Sequence, residues 1–151
     1  YPLRRQRQMC IRDSIRVVTN SLPVFLILNE RKLTDLILIG GNYRSITGAF
    51  VGTLTLQNLA NLQFSKAFVS CNGIQDNAIA TFSEEEGESQ RIALNNSNKK
   101  YLLADNSKFN KFDFYTFYNI SDIDTIVSDS KLSKETFEQL SKQTKIILSK
   151  P

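Results

Sequence analysis

From Ile15 to the C-terminus, short apolar or β-branched runs alternate with helix-like stretches. This alternation limits the fold more than any other feature of the chain. Strand signals fall at Ile15–Val18, Asp35–Ile39, Lys66–Ser70, Lys100–Ala104, Thr125–Val127 and Ile146–Leu148. Between them lie segments with helix start signals. Ser21 can cap a helix whose first turn holds Pro23, a position where proline's missing N–H costs nothing. Val24–Leu28 continues that helix, and Lys32-Leu33-Thr34 closes it. Ala49–Leu62 fits a second helix with Leu54, Leu56, Leu59 and Leu62 as its apolar surface. Ser83 and Glu86 form an S-x-x-E capping box ahead of Ile92, Ala93 and Leu94. Ser133–Ser141 predicts a short helix with Phe137 and Leu140 inward, and Tyr115–Tyr118 an additional β element. Strands separated by helices of this kind predict βαβ units. The expected fold is therefore α/β, one domain, with a mostly parallel sheet flanked by helices. The unbroken apolar run at Asp35–Ile39 predicts a strand buried on both faces.

Composition narrows the class. The 151 residues are 41% hydrophobic and 23% charged, as in an ordinary globular domain. No apolar run approaches the roughly 20 residues that cross a bilayer, so no membrane partner is expected. Cys10 and Cys71 offer no disulfide framework, which points to a reducing cytoplasm. The chain has no histidine. That argues against a metal site, removes the commonest general base, and leaves no cofactor implied. The net charge of +4 is concentrated at the start: Arg4, Arg5, Arg7 and Arg12 against Asp13 give +3 within residues 1–14, leaving +1 for the rest. The body of the chain thus lacks the basic face that phosphate-backbone binding requires. Residues 1–14 have no apolar period and no helix start. They are expected to lie outside the fold as a non-native or disordered segment, with residues 15–151 forming the domain.

The strand ends share a chemistry. The first ends on Thr19-Asn20-Ser21, the second on Gly40-Gly41, the third leads to Asn72-Gly73, and the fourth to Asp105, with Lys108 three residues on. Open α/β sheets bind ligands beyond the carboxyl ends of their strands. Hydroxyls and N–H groups at a helix N-terminus suit an anion, and glycines let a ligand approach the backbone. Asp105 can accept from sugar hydroxyls, and Lys108 can pair with a phosphate. Each element also has a structural reading: Ser21 as a cap, Gly40-Gly41 as a turn, Glu86 as half of its capping box, Asp105 with Ser107 as an Asx-type turn. Together they point to a small polar or phosphorylated ligand.

With those residues in view, the chain resembles the sensor domain of DeoR-type bacterial transcriptional regulators. The matching pieces keep their order: Val18–Val24, Leu38–Gly41, Phe50–Gly52, Phe64–Phe68, Asn72–Ile74, Glu86 with Arg91, Leu103–Phe109 and Ser121–Asp129. The likeness runs from about Ile15 to the C-terminus. It implies a fold like that of ribose-5-phosphate isomerase and glucosamine-6-phosphate deaminase, with a phosphorylated sugar as effector. By matching motif, Thr19, Asn20, Ser21, Gly40, Gly41, Asn72, Gly73, Glu86, Asp105 and Lys108 would form the effector site, with no catalytic residue among them. Leu94-Asn95 and Phe114–Tyr118 look most like repressors of lactose phosphotransferase operons, which would make tagatose 6-phosphate the effector. The resemblance also implies a homo-oligomer when intact. Operator DNA would be reached only through an N-terminal helix-turn-helix, which is not found here, nor is the family's opening strand with its Gly-Thr-Thr-type loop. The reading is a partial sensor domain of a repressor of sugar catabolism. The alternative is a sugar-phosphate isomerase or deaminase on the same fold. Asn72 weighs against it, because it stands where those enzymes place an acid and an amide cannot accept and return a proton.

Overall fold

A computed structural model describes residues 15–32 and 35–150. Residues 1–14, and Leu33 and Thr34 at the expected close of the first helix, lie outside the described residues. The chain forms two compact units that divide between Asn58 and Leu59.

The first unit begins with β1 (Arg16–Thr19), α1 (Leu22–Glu30) and β2 (Asp35–Leu38). β1 and β2 pair in parallel from Arg16↔Asp35 to Thr19↔Leu38, with α1 as the crossover. Ser21 caps α1, its Oγ accepting from Val24 N at 3.4 Å, and Pro23 sits in the first turn as expected. Arg16 Nε donates to Asp35 Oδ2 at 2.8 Å where the two strands begin. β3 (Asn42–Arg44) and β4 (Ala49–Val51) then make an antiparallel hairpin. The sequence had placed Ala49–Val51 inside a helix. Gly48 and Gly52 explain the difference: their φ angles of +68° and +97° are left-handed, so the chain turns on either side of a three-residue strand. The helix α2 (Thr53–Ala60) starts only after Gly52. Leu59 is buried, but Leu54 is exposed, contrary to its expected place on the apolar surface.

The second unit is built on a parallel sheet of four strands in the order β11 (Lys145–Leu148), β10 (Thr125–Ser128), β8 (Ser97–Leu103), β5 (Phe64–Ser70). Parallel partners share a face. Val69 therefore lies beside Leu102, and Ile126 beside Ile146, on the side that holds the core. Onto that core pack α3 (Glu84–Asn95), α4 (Lys134–Ser141) and a second sheet of β6 (Gly73–Gln75), β7 (Ala78–Thr81) and β9 (Tyr115–Asn119). Leu94, Leu102, Ile120 and Ile126 are fully enclosed. The opposite face is open: Phe68 is 59% and Leu103 43% exposed, and Phe68 stacks on Tyr101 at 4.7 Å. In the first unit Ile37 of β2 is exposed as well, so the expectation of burial on both faces is not met there.

The additional β element at Tyr115–Tyr118 is present as β9. It joins the β6–β7 hairpin, which had no counterpart in the sequence reading. The hairpin turns at Asp76, whose φ of +53° is a conformation aspartate tolerates better than most residues.

Candidate functional site

The ten residues expected at the site divide five and five between the two units. All but Glu86, which lies in the first turn of α3, fall at or just beyond the carboxyl ends of parallel strands within their own unit.

In the first unit, β1 and β2 end side by side, and Ile39 N donates to Thr19 O at 2.8 Å. Thr19 Oγ1 accepts from Ser21 N at 3.1 Å. Asn20 Nδ2 donates to Phe50 O at 2.8 Å, and Phe50 N returns a bond to Asn20 O. These side chains therefore shape the turn between β1 and α1 and fasten it to β4. They stand at the start of a helix, where a negative group is favoured. Gly40 and Gly41 differ. A Cβ on Gly40 would meet nothing within 4 Å, while one on Gly41 would lie 2.7 Å from Val51 O and against the Thr55 side chain. Thr55, fully buried, donates from Oγ1 to Gly40 O at 2.8 Å. Gly41 is thus required by packing against α2, and Gly40 leaves open backbone.

In the second unit, β5 and β8 are neighbours, so Cys71-Asn72-Gly73 and Ala104-Asp105 leave the sheet together. Asp105 opens a 3-10 turn, Asn106–Lys108. Its Oδ1 accepts from Ser107 N at 2.8 Å and from Ser107 Oγ. These two bonds hold its carboxyl below the usual carboxylate range, with the positive charges of Lys108 and Lys111 adding to the effect. Asp105 is therefore an anion at neutral pH. The turn is fixed from β10, where Asp129 Oδ2 accepts from Asn106 N at 3.1 Å. The chain then runs beside β6: Lys111 N donates to Ile74 O at 3.1 Å. A Cβ on Gly73 would stand 2.6 Å from Lys111 O, so only glycine permits this approach. Cys71, buried beneath, feels the charges of both Lys108 and Asp105, and burial pushes its thiol from 9.0 up to about 12. Asn72, Gly73, Asp105 and Lys108 are thus brought to one corner.

Glu86 is placed differently. It is buried in the first turn of α3, where its N–H donates to the Ser83 cap at 3.4 Å. The capping residue follows Thr81 closely, and Thr81 Oγ1 donates to Asn72 Oδ1 at 3.1 Å. Thr81 had carried no functional reading. Its signal in the sequence was a polar residue closing the apolar run Ala78-Ile79-Ala80, visible only once that run is read as a strand.

A cleft in this unit is lined by residues other than those of this corner. Arg91, Asn95, Thr116–Asn119 and Asp122 line an open cleft of about 330 Å³. Arg91 donates from Nε to Phe117 O at 2.9 Å and pairs with Glu88 at 2.8 Å, while Glu88 also accepts from the Tyr115 hydroxyl. These bonds fasten α3 to β9. No cluster of three or more histidine, cysteine, aspartate or glutamate residues suited to a metal occurs among the described residues.

The profile of the DeoR C terminal sensor domain matches residues 4–130. The chain belongs to that family. Relatives named "Lactose phosphotransferase system repressor" match through most of the same span. The protein of Lactococcus lactis subsp. lactis is 51% identical over 133 residues, covering 88% of this chain and 52% of the relative. That of Streptococcus mutans serotype c is 39% identical over 138 residues, covering 90% and 55%. That of Staphylococcus epidermidis is 43% identical over 119 residues, covering 78% and 47%. The chain spans about half the length of these relatives. The DeoR family assignment agrees with the reading of a regulatory sensor and against an enzyme. No helix among the described residues is long and apolar enough to cross a membrane.

Proposed function

We propose that this chain is the effector-binding part of a cytoplasmic repressor of lactose catabolism, and that its effector is a phosphorylated sugar, tagatose 6-phosphate. The observation that carries the reading is the corner at the ends of β5 and β8. There a carboxylate held ionised by Ser107, a nearby lysine and an exposed amide meet over a close-packed glycine. The carboxylate suits sugar hydroxyls, and the lysine suits a phosphate as a point charge. The names of the relatives direct the choice of sugar to lactose metabolism. We further infer the fold of ribose-5-phosphate isomerase and glucosamine-6-phosphate deaminase, an operator-binding helix-turn-helix elsewhere in the intact repressor, and a homo-oligomeric assembly.

Turnover and binding separate this reading from the enzyme alternative. Incubated with ribose 5-phosphate or glucosamine 6-phosphate, the chain should form no product. Calorimetric titration with tagatose 6-phosphate should give saturable heat. Product formation from either substrate would replace the sensor reading with an enzymatic one.

A further inference from the structure

Asn72 leaves β5 with its side chain exposed and its main chain held, the N–H donating to Ala80 O at 2.9 Å. Its side-chain oxygen is already taken, because Thr81 Oγ1 donates to it at 3.1 Å. A carboxamide whose oxygen is turned to a buried hydroxyl points its NH₂ group, two donors, the other way, and keeps one lone pair on the oxygen. Thr81 is 1% exposed and sits on β7, clamped between β6 and β9. Its hydroxyl is therefore a fixed element, and the amide is the group that it orients. Lys108 and Lys111 both act on Asp105 at this corner, and Lys111 runs with its backbone against Gly73.

We propose that Thr81 is a positioning residue that fixes Asn72 as a hydrogen-bond donor, so that the ligand group recognised at this corner is an acceptor oxygen of the phosphorylated sugar. The inference rests on the effector reading above and adds the direction of one contact and the residue that sets it. It also accounts for the amide at this position. An aspartate would accept from Thr81 equally well but would present no donor, and would set a second negative charge against an anionic ligand.

The test uses the whole chain, tagatose 6-phosphate and four variants. Thr81→Val removes the hydroxyl while keeping the shape. It should weaken binding by about tenfold, the scale of one intramolecular hydrogen bond. Thr81→Ser keeps the hydroxyl and should restore affinity. Asn72→Ala should weaken binding, and adding Thr81→Val to it should cost nothing more, because Thr81 acts only through Asn72. A structural role for Thr81 would instead give additive losses. A readout without ligand completes the set: the Asn72 side-chain NH₂ resonances, identified by their loss in Asn72→Ala, should move in Thr81→Val and hold in Thr81→Ser. If Thr81→Val binds like the parent chain, or its effect adds fully to that of Asn72→Ala, the positioning role is overturned while the effector reading stands. If the parent chain binds no sugar phosphate yet the resonances move as described, the effector reading fails and the direction assigned to the contact fails with it.

Discussion

Cys71 and Asp105 sit at adjacent strand ends and titrate in opposite directions. Asp105 is lowered by its bonds from Ser107, so its contribution to the folded state is present above the unfolded value and fades only as pH falls through the folded one. Cys71 is raised by burial from 9.0 to about 12. Its neutral thiol favours the fold fully below pH 9.0, and that contribution is lost as pH rises towards 12. The thiolate is the reactive form. Iodoacetamide at pH 8 should therefore leave Cys71 unmodified in the folded chain and label it in denaturant, as read by peptide mass spectrometry. Rapid labelling in the folded chain would show the thiol accessible and the packing under Asp105 misplaced. At this scale the sequence was most legible where chemistry is local. Asp105 and Ser107 lie two residues apart, and their turn could be read directly. Thr81 ends β7 and Asn72 immediately precedes β6, and their contact needed the register of that hairpin.

Helix α3 shows how an element takes its place from one residue. Gly87 is buried, and a Cβ there would lie 2.6 Å from Tyr115 Cδ1 and 3.2 Å from Phe117 Cβ. Alanine in a helix interior ordinarily gains about 1 kcal/mol over glycine. Here the gain is outweighed, since overpacking costs about 1–3 kcal/mol and the neighbours are a ring edge and a strand Cβ. Gly87→Ala should therefore lower stability in urea unfolding, and a rise would mean that α3 stands further from β9. The S-x-x-E box announced this helix correctly, because its capping bonds lie within one turn. The parallel strands β5, β8 and β10 were equally plain from their apolar runs. The short antiparallel pieces were not. Ala49–Val51 reads as helix by composition, and only the positive φ angles at Gly48 and Gly52 make it a strand. The β6–β7 hairpin gains its stability from pairing with β9 across many residues of sequence, which no local pattern reveals.

The expected site residues fall in two groups of five, one in each compact unit, and all but Glu86 lie at strand ends. The α/β class with a mostly parallel sheet was legible because it follows from the order of elements alone. The open face around Phe68, Tyr101 and Leu103 was not, since a strand's sequence does not tell whether a layer covers it. By the proposed function, Asp105 and Lys108 hold a phosphorylated sugar. The most direct test of this is calorimetric titration of tagatose 6-phosphate into the chain and into Asp105→Asn and Lys108→Ala. A charge-assisted contact is worth about 1.5–3 kcal/mol, so each substitution should weaken binding by roughly ten- to more than a hundredfold, with the folded spectrum retained. Equal affinity in the parent chain and both variants would move the effector site away from the ends of β5 and β8.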